Sequence, residues 1–259
     1  MLTVPGRIRF QHQSPFNECH SPSVNSVSRI LSALAVVALL LLLGNLYLGL
    51  TGGDFNGVST QLREQQRKVT ELKSAALLDK EKLAAAEEEL KIGREQVAEL
   101  QARNGNHVLL GLLATLVTIM VNSIAVTYFI GTARWCKEVC ETYGLDASYS
   151  QRSDRRKSKT FPWSLLGIVT VLTMAALGAA SDPGTFRETT AKWVSVHFIA
   201  AIAGTAIIAY SLWRQVLGIR MHQGIINEIL EAVRVVRESK GLAVDSPTDA
   251  TATTAASAE

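Results

Sequence analysis

The chain has 259 residues, 47% hydrophobic and only 19% charged, with a formal net charge of +3. So small a charge argues against nucleic-acid binding, whose affinity comes from clustered basic surface, and Cys19, Cys136 and Cys140 make no disulfide framework. The apolar residues gather into four runs between highly charged segments, the pattern of an integral membrane protein rather than one large soluble core.

Residues 1–27 hold turn-forming residues without periodicity and read as a disordered tail. A first transmembrane helix is expected over 28–51. Its core, ILSALAVVALLLLLGNLYLGL, carries no charge and is long enough for the roughly 20 residues that cross a bilayer. A signal peptide is the rival reading, with Arg7, Arg9 and Arg29 as a basic flank. The apolar core exceeds the usual length of about 7–15 residues, and LTGGDF is a poor cleavage site, so an uncleaved anchor is expected.

Residues 52–106 form the most charged segment. Apolar residues recur every seven positions at Leu62, Val69, Ala76, Leu83, Leu90 and Val97, with Leu72 and Leu100 at intervening core positions. This is a diluted coiled-coil pattern. One straight helix over 60–103 would measure about 66 Å, while the linker 52–58 reaches at most about 25 Å. With both ends tethered to a membrane, such a rod cannot stand upright. It must lie along the surface or fold back. Residues 58–76 are net basic and 79–103 net acidic, which favours an antiparallel hairpin with its tip near Leu77–Lys80 and with Arg67 and Lys68 facing Glu88 and Glu89. The unbroken seven-residue phase favours one continuous helix instead. Asn104-Gly105-Asn106 is expected to separate this coil from the next span.

The second span covers 107–131. Asn122 and Ser123 within it, with Asn45 in the first, read as interhelical hydrogen-bonding groups. Residues 132–160 follow as a helix and a basic loop. Cys136, Val139, Cys140 and Tyr143 form one apolar stripe ending at Gly144. The third span, 161–180, joins the fourth, 193–213, through loop 181–192, where Asp182-Pro183-Gly184 is a turn signal. Ala176 and Ala180, and Ala200 and Gly204, put small residues at four-residue spacing, which permits close helix approach in lipid. Residues 214–241 read as an amphipathic extension with Ile225 or Ile226, Ile229, Val233 and Val236 on its stripe, expected to pack against the extension of span two. Residues 242–259 read as a disordered tail.

Lys and Arg near the span ends set the orientation. Windows of 15 residues hold ten on the side of the termini and basic loop against five on the other. Both termini are therefore expected in the cytoplasm of a multi-pass cell-membrane protein, with the coil outside.

Reaction chemistry is weakly represented. Cys136 and Cys140 are metal candidates, but their spacing differs from a CxxC knuckle and no histidine is near in sequence. Arg134 and Lys137 would favour thiolates, though a buried helix seam is the simpler reading. His107 and His197 could ligate a haem; interfacial packing is simpler, and no cofactor is expected. No Asp, Glu, Lys or Arg lies inside a span, so the usual relay of a coupled transporter is missing. The expected fold is all-α: four transmembrane helices, an extracytoplasmic coiled coil and cytoplasmic amphipathic extensions. The expected function is non-enzymatic: a scaffold, assembly or signal-transmitting subunit. Its partners would be the bilayer and either another protein or a second copy, met through the coil or cytoplasmic helices. A homo-oligomeric channel or transport accessory subunit is the alternative, and a haem redox protein a distant third.

Overall fold

The structure, a computed structural model, describes residues 24–75, 79–185 and 190–242. These fold into five helices: α1 (Val24–Thr51), α2 (Phe55–Ser74), α3 (Lys80–Tyr143), α4 (Ala147–Ser181) and α5 (Ala191–Ser239), with a single 3-10 turn at Pro183–Thr185. Among the described residues there is no strand. Helices α1, α3, α4 and α5 are each long and apolar enough to cross a membrane. The expectations for residues 1–23, including Cys19, for Ala76 and the Leu77–Leu78 part of the tip, and for the tail from 243 onward lie outside the described residues.

The four long helices form a bundle in which α4 packs on both α3 and α5, and α1 lies against α3 and α5. Its apolar core joins Ala38 and Leu42 of α1, Val121, Ala125 and Phe129 of α3, Val171 of α4, and Ile208 and Ile219 of α5. Two glycines set how closely the helices approach. A Cβ at Gly167 would stand 2.6 Å from Asn122 Oδ1, and one at Gly218 would stand 2.5 Å from Thr160 Oγ1.

The coil segment is broken between Ser74 and Lys80, and its two arms pack antiparallel. Asp79 explains where α3 restarts: its side chain accepts a hydrogen bond from the Lys82 backbone N–H at 3.1 Å and caps the helix. Val69, Ala86 and Leu90 are buried between the arms, with Leu62, Leu72 and Leu83 packed against them. Val97 and Leu100 are half-buried nearer the base. Lys68 pairs with Glu89 at 3.2 Å and Lys73 with Glu87 at 2.8 Å across the hairpin. Arg67 and Glu88 instead pair within their own helices, with Glu71 and Lys91.

Several boundaries differ from the sequence reading: α1 already begins at Val24, inside the expected tail 1–27, and α2 at Phe55, inside the 52–58 linker. Asn104-Gly105-Asn106 does not interrupt the chain: α3 is one helix of 64 residues from the hairpin through the bundle. The unfavourable intrinsic propensities of Asn and Gly, up to about 1 kcal/mol per residue, are outweighed because packed helix on both sides fixes the direction. The basic loop is likewise helical. Asp146 caps α4 by accepting from Ser148 N–H at 2.7 Å, and the helix then runs through Arg155, Arg156, Lys157 and Lys159 into the apolar run. Its buried stripe is Ser153, Thr160, Ser164, Gly167 and Val171, so the inward face of its first half is too polar to show as an apolar stripe. Gly144 ends α3 at φ +64°, a left-handed conformation that suits glycine, and donates to the Cys140 carbonyl.

Candidate functional site

One buried face of α5 carries Gly204, Ile208, Ser211, Gln215, Gly218, His222, Ile225 and Ile229, at alternating spacings of three and four. The same face of the helix thus serves the apolar run and the charged extension beyond it. Opposite stands the buried stripe of α3, which includes Thr118, Asn122, Ala125, Phe129, Ala133, Cys136 and Cys140. On and beside these faces, with α4 joining at two of them, polar groups meet at three levels.

The first lies at the hairpin end. The His107 and His197 rings meet edge-on, with centroids 6.3 Å apart. His107 Nδ1 is 3.1 Å from the Asn45 carbonyl, and each ring rests against a glycine of a neighbouring helix, Gly49 or Gly178. His197 Nδ1 is buried without a hydrogen-bond partner. The bundle therefore brings together two histidines far apart in sequence, in a contact filled by helix backbone.

The second level is in mid-bundle. Gln215 Nε2 donates to Asn122 Oδ1 at 2.9 Å and to Ser211 Oγ at 3.0 Å, while Asn122 Nδ2 donates to the Thr118 carbonyl at 2.7 Å. Ser211 Oγ donates to the Trp163 carbonyl, tying α5 to α4. Asn122 and Ser211 are wholly enclosed. Thr118 Oγ1, Ser164 Oγ and Gln215 Oε1 are buried without a partner.

The third level lies beyond Trp213. His222 is fully buried, with Nε2 2.8 Å from Ser153 Oγ and Nδ1 3.4 Å from Tyr128 Oη. Burial, helped by the nearby Arg156 charge, pushes its pKa down to about 4. The imidazole is thus neutral near pH 7 and links α5 to α3 and α4. Serine beside histidine invites comparison with a hydrolytic pair. Here a tyrosine occupies the place of the orienting carboxylate, and both Ser153 and His222 are shut away from solvent. The geometry is that of a hydrogen-bonded strut.

Cys136 and Cys140 pack against Ile225 and Ile229, so the extensions of α3 and α5 do meet. Burial pushes both thiols up from their ordinary pKa, against an opposing Ser153 hydrogen bond at Cys136. Arg134 and Lys137 pair instead with glutamates one turn along their own helix, Glu138 and Glu141. No group of three or more His, Cys, Asp or Glu suited to a metal occurs among the described residues.

The other packing candidates divide. Asn122 and Gly204 are buried, and Ala180 and Ala200 half-buried. Ser123 and Ala176 are exposed. Ser123 is one residue, or about 100°, around the helix from Asn122; Ala176 lies between Met174 and Gly178, which face Gly204 and His197 of α5. Ser153, Ser211, Gln215 and His222 escaped the sequence reading. The available signal was the three-and-four repeat of α5 continued past Trp213, but its polar members interrupt any stripe defined by hydropathy.

Comparison with protein-family models, with curated proteins and with solved structures finds no match.

Proposed function

We propose that this chain is a non-enzymatic membrane scaffold, assembly or signal-transmitting subunit that works through helix–helix contacts. The observation that carries the reading is the continuity of α3, whose 64 residues supply one arm of the hairpin, a core helix of the bundle and the Cys136–Cys140 face at the far end. A displacement of the hairpin is thereby coupled through one rod to the opposite end. The hairpin base is also clamped to the α4–α5 connection. Asn56 Nδ2 donates to the Ser181 carbonyl at 2.7 Å, Arg63 Nη2 to the Pro183 carbonyl at 2.6 Å, and Thr190 Oγ1 to Asn56 Oδ1 at 3.1 Å. In this reading the hairpin acts as a compact coiled coil outside the cell membrane, with both termini and the basic half of α4 in the cytoplasm, in line with the Lys/Arg asymmetry. A homo-oligomeric channel or transport accessory subunit is the second reading, favoured by the polar level at Asn122, Ser211 and Gln215.

The test is affinity purification of the full chain after mild solubilisation, beside a Val69→Lys/Leu90→Lys variant that opens the hairpin. A stoichiometric partner held by the native chain and lost from the variant supports the scaffold. Reconstituted protein that conducts ions without any partner refutes it in favour of the channel. The orientation is checked with single cysteines at Ser74, Ser150 and Thr185 in a cysteine-free background. On intact cells an impermeant maleimide should label the first and third only, and labelling at Ser150 alone would reverse the assignment.

A further inference from the structure

We propose that the face of α4 and α5 formed by Lys159, Trp163, Tyr210 and Arg214 binds the phosphate headgroup of an anionic phospholipid. The inference rests on α4 and α5 being membrane spans. The four residues lie where both apolar runs meet charged sequence.

The charge is uncompensated. Residues 152–159 hold Arg152, Arg155, Arg156, Lys157 and Lys159 against one acid, Asp154. Asp154 pairs with Lys157 at 2.9 Å, and Glu228 is taken by Arg152. Among the described residues, neither Lys159 nor Arg214 has a carboxylate partner. Arg214 Nη1 donates only a long hydrogen bond to the neutral Tyr210 hydroxyl at 3.4 Å, which leaves its charge, like that of Lys159, without a counter-ion.

The geometry is built rather than incidental. The Trp163 and Tyr210 rings meet edge-to-face with centroids 5.0 Å apart, and the Arg214 guanidinium lies 5.4 Å from the centre of Trp163 and 6.0 Å from that of Tyr210. The rings hold the guanidinium in place and the Tyr210 hydroxyl accepts from one of its Nη1 protons, while a guanidinium carries five N–H donors, so others remain to grip phosphate oxygens. Lys159 stands one helical turn before Trp163, on the same face of α4. The Ser211 hydroxyl, bonded to the Trp163 carbonyl, and the close approach of Gly218 to Thr160 fix the two helices here. Leu166 and Ile207, 39% and 40% exposed, continue the face one turn deeper into the apolar run, where acyl chains would lie. A lipid supplies both halves of this surface, the anion and the chains; a free phosphate supplies only the first.

Native mass spectrometry of the detergent-purified full chain tests this. The probes are phosphatidylglycerol, phosphatidylcholine of the same acyl chains, and inorganic phosphate. Phosphatidylglycerol should be retained in preference to phosphatidylcholine. Lys159→Gln should weaken its retention about fivefold, and Lys159→Gln/Arg214→Gln about 25-fold. Lys159→Arg should bind like the native chain. So should Lys137→Gln, which removes an exposed cation elsewhere on the same end. Lys159→Gln changes an exposed residue, so the comparison survives if the double variant fails to fold. Equal retention of the two lipids, unchanged binding by Lys159→Gln, an equal loss in Lys137→Gln, or displacement of the lipid by equimolar inorganic phosphate would each overturn the proposal.

Discussion

The buried histidine makes the terminal end of the bundle sensitive to acid in a calculable way. His222 titrates at about 4 in the fold against 6.5 for an ordinary histidine. Between those values the unfolded chain binds a proton that the folded chain does not, so stability rises with pH through this window. It is flat above about 6.5 on this account and falls progressively as the pH drops towards 4. A shift from 6.5 to about 4 corresponds to about 3.5 kcal/mol, at roughly 1.4 kcal/mol per pH unit. The perturbation is His222→Gln, which removes the titration and keeps hydrogen-bonding capacity towards Ser153 and Tyr128. The assay is thermal unfolding of native chain and variant in the same detergent from pH 8 to 4. Carboxylates contribute equally to both proteins, so the difference isolates His222. The native chain should lose more stability than the variant between pH 6.5 and 4, by an amount approaching the full figure. Parallel pH profiles for the two proteins would show that His222 protonates without cost and would refute the reasoning.

Spin labels at Arg67 and Glu89, diluted with unlabelled chain, should lie about 10–20 Å apart across packed helices, whereas an unbroken helix would hold them about 33 Å apart. Cys136→Ala with Cys140→Ala should leave bound metal unchanged and lower stability by about 1–3 kcal/mol through lost packing; loss of a stoichiometric metal would revive the ligand reading. In a Cys19→Ser background the Cys136 and Cys140 thiols should react slowly with maleimide at pH 7 until the protein is unfolded, since both are buried and their pKa values raised. A double-mutant cycle of Asn122→Ala and Gln215→Ala should give a coupling of about 0.6 kcal/mol, the size usual for hydrogen bonds between transmembrane helices, and a cycle with no coupling would remove the mid-bundle hydrogen bond from the account.

Hydrophobic run length was enough to place four apolar helices, because a bilayer-spanning segment must satisfy its backbone internally and be apolar over about 20 residues. Charge balance and tether length were enough to favour a fold-back near Asp79, because both are properties of the chain and need no partner surface. The meeting of Cys136 and Cys140 with Ile229 was legible for the same reason, as two stripes at one end need covering. Tertiary structure alone decided the rest. Whether Asn104-Gly105-Asn106 bends depends on packing on either side of it, and local propensity points the wrong way. Whether Ser123 or Asn122 faces inward depends on the rotation of α3 against α4, which a uniformly apolar helix does not reveal. Ser153 of α4 with His222 of α5, and Asn122 of α3 with Gln215 of α5, are polar groups buried because each meets the other. The two pairs are 69 and 93 residues apart in sequence, and no local pattern in any one helix announces them.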